Sequence, residues 1–296
     1  MPQGSVLGPI LFLVFIDDLP LYTKSSQIRL FADDTIVYLT IASTDDCHKL
    51  QEDLHHLEQW ERDWLMEFHP AKCNVLRITR KKSKITFPYT LHGHVLEEVP
   101  SAKYLGVTIS SDMSWNQHID KTCAKANRKL GFLKRNLKIK SGDLKAKAYK
   151  TMVRPLLEYC STVWDPHTQK QSRCLEMVQR RSARWVTGRY HKTSSVTAML
   201  SDLEWRELAQ RRVDSRLMIM YKITRGLVDI PIGNYISLQH DGVHIQPIIA
   251  RTNYYKFSFF PNTISSWNSL TRDILSVKTP ATFKTKVAAL THDLPY

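Results

Sequence analysis

The 296-residue sequence predicts an α+β chain in which strand-like runs alternate with a long helix up to residue 110 and helical patterns take over from residue 111. Three observations carry that expectation. Ile28 to Leu39 is apolar and β-branched on both sides of Asp33-Asp34, which reads as a hairpin with carboxylates at its tip. Behind it, Cys47, Leu50, Leu54, Leu57, Trp60, Trp64 and Phe68 recur at three- and four-residue steps, with Ser43 and Thr44 offering caps. Further on, Trp115, Ile119, Cys123, Ala126, Leu130, Leu133 and Leu137 mark one face of a second helix, which Ser114 and Gln117 would open as a capping box.

The other elements follow in order. The apolar run Val6 to Ile16 contains Gly8-Pro9 and reads as a helix ended by Asp17-Asp18, a pair expected to stop the helix or face solvent rather than bind metal. Strand-like runs at Asn74 to Thr79 and Lys103 to Ile109 are separated by the basic turn Arg80 to Lys84 and a hairpin around His92-Gly93-His94. Helical patterns continue to Arg225. From Asp229, Pro231, Gly233, Gly242, Pro247 and Pro261 break short apolar stretches, and Pro280 to Leu290 is again helical. The domain boundaries expected are therefore 1–110, 111–230 and 231–296.

With 43% hydrophobic and 24% charged residues the chain has the composition of a globular protein, and its net charge of +14 concerns partners rather than fold. Asp112 to Val228 holds 25 Lys+Arg against 10 Asp+Glu, so this one segment carries the whole excess. Basic residues alternate there with apolar ones at helical spacing and no lipidation motif is present, which favours nucleic acid over a membrane surface. Five scattered cysteines without a C-x-x-C pair indicate neither a zinc site nor a disulfide framework. With no signal peptide and no apolar run long enough to span a bilayer, the expected location is intracellular, nucleus or cytoplasm. The Arg80 to Lys84 run is open to two readings, a nuclear address or a solvated turn.

Paired carboxylates on a rigid hairpin tip suit two-metal phosphoryl transfer, since hard oxygen ligands can hold two Mg²⁺ close together. The competing reading of Asp33-Asp34 is an ordinary acidic turn. The surroundings are more specific. Pro2-Gln3-Gly4-Ser5-Val6-Leu7-Gly8-Pro9 precedes Phe31-Ala32-Asp33-Asp34, and Lys72-Cys73 and Tyr104-Leu105-Gly106-Val107 follow. In this order the four blocks resemble the later motifs of the reverse transcriptases of non-LTR retrotransposons, most closely those of the jockey and chicken-repeat type. Arg251 to Tyr255, Phe259 to Ile264 and Trp267-Asn268 resemble the tail of the same elements.

The resemblance implies a partial right-hand polymerase palm over residues 1–110, a helical thumb and a small carboxyl-terminal region. It makes Asp33 a direct metal ligand and places Asp34 at the same site, with Phe31 an accepted variant of the usual aromatic and Ala32 beside it. Gln3 and Gly4 would line the pocket for the incoming nucleotide and templating base, where glycine lets the backbone approach and glutamine offers a two-sided amide. The alternative is a simple Gly/Pro helix start. Lys72 would donate a proton to the leaving pyrophosphate, or be a surface lysine. Tyr104, Leu105 and Gly106 would grip the primer end, or Gly106 would merely mark a bulge. Lys121, Lys125, Arg128, Lys129, Lys134, Arg135, Arg180, Arg181 and Arg184 are the candidate phosphate contacts of the thumb.

The implied partners are an RNA template, a DNA primer and deoxynucleoside triphosphates, with two Mg²⁺ ions in the full-length enzyme. The family shares those ions with an aspartate on a palm strand upstream of the Gln-Gly block. Weak metal binding and no useful polymerisation are therefore expected of this chain alone. The alternative is a non-catalytic nucleic-acid-binding remnant of the element.

Overall fold

The computed structural model describes residues 4–230, 233 and 235–290. The chain divides into two compact units, Met1–Ser114 and Trp115–Tyr296. Its architecture is mixed helix and strand, and among the described residues the strands form four separate two-stranded sheets.

In the first unit, α1 (Gly8–Phe15) starts with proline in its first turn, where a missing N–H costs nothing, and a short 3₁₀ turn at Leu19–Tyr22 follows. Strands β1 (Gln27–Phe31) and β2 (Asp34–Tyr38) form the acidic hairpin, with Ile28 opposite Val37 and Phe31 opposite Asp34. Helix α2 (Thr44–Trp64) begins with a complete capping box between Ser43 and Asp46 and ends at Leu65, whose φ of 53° is left-handed. That reversal stops the helix short of Phe68, which the three- and four-residue spacing had included. Phe68 instead folds back to stack on Trp60, ring centres 6.1 Å apart.

Ile16, Leu19, Ile28, Leu57 and Trp60 make the core of this unit, with Leu30, Val37 and Leu54 packed against it. The hairpin thus lays Ile28, Leu30 and Val37 on α1 and α2, and α2 fixes its position. Two of the sequence-predicted strands differ in the structure. The first is limited to β3 (Asn74–Val75), following a 3₁₀ turn at Pro70–Lys72, and pairs parallel with β6 (Glu97–Glu98). The second is a hairpin of β7 (Ser101–Tyr104) and β8 (Val107–Ser110), because Leu105 and Gly106 take φ of 45° and 82° and turn the chain back. The expected hairpin at His92-Gly93 is present between β4 (Thr90–Leu91) and β5 (His94–Val95), again with two positive-φ residues, 51° and 74°. Gln51 on α2 holds it in place, its amide donating to the Thr90 carbonyl at 2.9 Å and accepting from the Thr90 N–H at 2.8 Å.

The second unit is helical. Helix α3 (Asn116–Asn136) packs on α7 (Gln169–Thr187), with α4 (Gly142–Met152), α5 (Arg154–Glu158) and α6 (Ser161–Trp164) between them in sequence. The expected Ser114–Gln117 capping box does not form. The N-cap is Trp115 with no side-chain bond, and the Ser114 N–H is taken by Asp112 Oδ1 at 2.9 Å.

Helices α8 (Val196–Asp202) and α9 (Leu208–Thr224) follow, then α10 (Asn253–Lys256), α11 (Phe259–Asn268), α12 (Arg272–Leu275) and α13 (Pro280–Leu290). Leu217, Met220 and Tyr221 of α9 share one buried core with Ile264 and Trp267 of α11 and Phe283 and Val287 of α13. Residues on both sides of 230 therefore fold around the same centre. Pro231 falls outside the described residues.

Candidate nucleotidyl-transfer site and basic face

The acidic hairpin turns through Ala32 and Asp33, one residue earlier than the Asp33-Asp34 break suggests, and Asp34 opens β2. Ala32 supplies the positive φ of 51° that closes the turn. Phe31, Ala32, Asp33 and Asp34 are all exposed, so the carboxylates project from the tip rather than sit between buried strands. Among the described residues, the side chains of Asp33, Asp34 and Lys72 have no hydrogen-bond or ion-pair partner, and no group of three His, Cys, Asp or Glu side chains is placed to hold a metal. Two neighbouring carboxylates are fewer ligands than a pair of octahedral ions requires.

The other predicted residues of this unit are spread around it. Lys72 is exposed on the short 3₁₀ turn, and its N–H donates to the His69 carbonyl at 2.9 Å. Gly4 has a φ of 89° with open space around it, a conformation that suits glycine. Gln3 lies outside the described residues. Tyr104, Leu105 and Gly106 form a tight hairpin turn rather than a bulged strand.

What fixes the acidic hairpin was not singled out from sequence. Asp53, 1% exposed on α2, accepts the backbone N–H groups of Lys24, Ser25 and Ser26 at 2.8, 3.0 and 2.6 Å. Those residues lead directly into β1. Burial pushes the Asp53 carboxyl up, but the hydrogen bonds from Lys24, Ser26 and Ser25 outweigh it and hold the group below its ordinary range. Asp18, expected to stop a helix or face solvent, accepts the Trp60 indole N–H at 2.8 Å. A signal for Asp53 was present: it lies three residues after Leu50 and four before Leu57, on the apolar face of α2.

In the second unit, Lys121, Lys125, Arg128, Lys134 and Arg135 are exposed along α3, and Lys129 lies 5.7 Å from the Phe132 ring centre. Arg181 of α7 joins them, donating to Asn127 Oδ1 at 3.1 Å. Although Lys134 is exposed as a residue, partial desolvation where its ammonium lies against the helix, and the Arg181 charge second, push that ammonium below its usual range. Such repulsion is relieved by an anion. Arg180 donates to Thr197 at 3.1 Å and Arg184 is half-buried, so these two serve packing more than the open face.

Residues 1–109 match the family described as reverse transcriptase (RNA-dependent DNA polymerase). That stretch is similar to part of a reverse transcriptase domain. The chain is similar to the probable RNA-directed DNA polymerase from transposon BS of Drosophila melanogaster, 29% identical over 63% of this chain and 22% of that protein. It is also similar to the probable RNA-directed DNA polymerase from transposon X-element of the same species, 28% identical over 64% and 22%. A third relative is the RNA-directed DNA polymerase from mobile element jockey, 27% identical over the same shares, 64% and 22%. The chain thus spans about a fifth of the length of these curated relatives. No solved structure matches it. Among the described residues, no helix is long and apolar enough to cross a membrane.

Proposed function

We propose that this chain is the palm-to-thumb portion of an RNA-directed DNA polymerase of a mobile element, and that Asp33 is its metal-binding carboxylate. The observation that carries the reading is the placement of Phe31-Ala32-Asp33-Asp34 on an exposed hairpin tip inside the matching segment. The two Mg²⁺ ions supply charge neutralisation for nucleotidyl transfer, and Asp33 and Asp34 contribute part of their ligand set. The rest of that set belongs to a longer enzyme. Residues 1–296 alone therefore hold magnesium weakly and do not extend a primer.

Within that enzyme, Gln3 and Gly4 line the nucleotide pocket, Lys72 donates a proton to pyrophosphate, and the Tyr104-Leu105-Gly106 turn abuts the primer end. The α3 face serves as the thumb, contacting phosphates of an RNA–DNA duplex by charge and shape. Deoxynucleoside triphosphates, RNA template and DNA primer are the partners.

A second reading, a nucleic-acid-binding remnant, draws on the basic face, because exposed Lys and Arg there outnumber their carboxylate partners. Primer extension on an RNA template with Mg²⁺, alongside duplex binding at several salt concentrations, separates the two behaviours. Duplex binding without extension is expected of this chain. Extension lost in Asp33→Ala would show that the ligand set is complete without further residues and overturn the proposal of an inactive portion.

A further inference from the structure

The segment from Pro247 to Ser269 has no part in the chemistry proposed above, although it gathers aromatic side chains beside positive charge. It carries Arg251 and Lys256 and no acidic residue. The carboxylates that flank it in sequence are paired elsewhere, Asp241 with His244 and Asp273 with Lys286. Lys256 instead lies 5.5 Å from the Phe257 ring centre. On α10, the adjacent rings of Tyr254 and Tyr255 are 42% and 41% exposed. Two solvent-facing rings between two cations leave π-faces and positive charge open on one short stretch of chain.

The stretch is held on a fixed support. Thr252 Oγ1 accepts the Tyr255 N–H at 3.4 Å, Ser258 Oγ donates to the Tyr255 carbonyl at 2.7 Å, and Phe257 lies flat on His167 with ring centres 4.6 Å apart. Helix α10 packs on α11, and Lys256 shares with α11 the lining of a cavity of about 480 Å³, within the size range of small-molecule sites. Pro247, Ile248 and Pro261 give that cavity apolar walls, and Ser265 and Ser269 bring hydroxyls to it. Asn268 also lines it, but the Ile245 backbone engages both amide atoms, Oδ1 accepting the N–H at 3.0 Å and Nδ2 donating to the carbonyl at 2.7 Å. With that amide committed, the groups facing a base edge are serine hydroxyls, which rotate to donate or accept.

From this arrangement we infer that α10 and the adjoining cavity bind single-stranded nucleic acid with little sequence preference. One base enters the cavity between the proline and isoleucine walls, its neighbours stack on Tyr254 and Tyr255, and Arg251 and Lys256 hold the backbone phosphates. A duplex keeps its base faces covered, so the tyrosines discriminate in favour of single strands. The surface uses none of the residues of the basic α3 face, which contacts a duplex by charge. The inference rests on the reading of the second unit as nucleic-acid-binding and adds to it a separate place for an unpaired strand.

The test is fluorescence anisotropy of the full chain with labelled oligouridylate, oligothymidylate and an RNA–DNA duplex of the same length. Tyr254→Ala with Tyr255→Ala should weaken binding of the single strands about tenfold or more and leave duplex affinity unchanged. Lys256→Glu should lower the salt slope for the single strands by about 0.7. The oligouridylate and oligothymidylate arms distinguish RNA from DNA as the strand held. Photo-crosslinking of the unaltered chain to an oligonucleotide carrying iodouracil gives a readout independent of the variants, with adducts expected on Tyr254 or Tyr255 by mass spectrometry. Single-strand affinity that the tyrosine variant leaves unchanged, or adducts confined to α3, would overturn the inference while duplex binding upholds the reading beneath it. Loss of both duplex and single-strand binding by the unaltered chain would overturn the two together. Oligoglutamate bound as tightly as oligouridylate would mark an acidic-peptide site and also overturn the inference.

Discussion

Replacing Asp53 with asparagine removes the charge that gathers three backbone N–H groups at the start of β1. In the native protein Oδ1 takes the Lys24 N–H, and Oδ2 takes those of Ser25 and Ser26. Asparagine has one acceptor oxygen, so at least one of the three donors must face an amide NH₂. Hydrogen bonds to a charged acceptor contribute about 1.5–3 kcal/mol each, and the neutral bonds that survive about half of that. Solvent reaches Lys24 and Ser25, which reduces the penalty for an unmade bond. The expected cost is therefore about 2–4 kcal/mol, on the order of 10 °C in Tm for a unit of this size. Because the folded pKa of Asp53 is lowered, its contribution is fully present above the ordinary aspartate pKa and is lost as pH falls through the folded value. The variant should lose that part of the acid sensitivity. Denaturant unfolding gives the free energy, and amide hydrogen exchange reports Lys24 to Phe31 directly. A change under about 0.5 kcal/mol with unaltered exchange at Ser25 and Ser26 would refute the reasoning.

Three further outcomes are expected. Asp46→Ala should destabilise α2 more than Ser43→Ala, because Asp46 accepts from the N–H groups of Ala42 and Ser43 at 3.0 and 2.9 Å, whereas Ser43 Oγ receives the Asp46 N–H at 3.4 Å; a comparison of melting temperatures gives the order. Lys125→Glu with Arg128→Glu should weaken duplex binding and reduce the salt slope by about 0.9 for each phosphate the variant no longer neutralises, with Tm unchanged since both side chains are exposed. His244 is raised above its ordinary pKa by its bond to Asp241, whose carboxyl is held down at about 2. The pairing stabilises the fold below the ordinary histidine pKa and is lost as pH rises through the raised value, so an NMR titration of His244 should shift down in Asp241→Asn.

Local rules made the α2 start, the His92-Gly93 hairpin and the α3 face legible, because caps, glycine turns and 3.6-residue periodicity are written in adjacent residues. Features set by distant partners were not legible. Gly106 gave a glycine signal, but whether it bulged a strand or turned a hairpin depended on Tyr104 pairing with Val107. Ser114 looked like a cap, yet Asp112 took its N–H and the helix began two residues later. The acidic tip was found to within one residue, since β-branched flanks bracket it. Asp53 stood out only as a carboxylate on the apolar face of α2, and its role was hidden because its partners, the N–H groups of Lys24, Ser25 and Ser26, lie far away in sequence.

The most direct measurement is RNA-templated primer extension by a chimera in which residues 1–109 replace the matching segment of the jockey polymerase. The account predicts magnesium-dependent extension that Asp33→Ala abolishes while duplex binding persists. Extension that survives Asp33→Ala would contradict the assignment of the hairpin tip as the metal-binding turn.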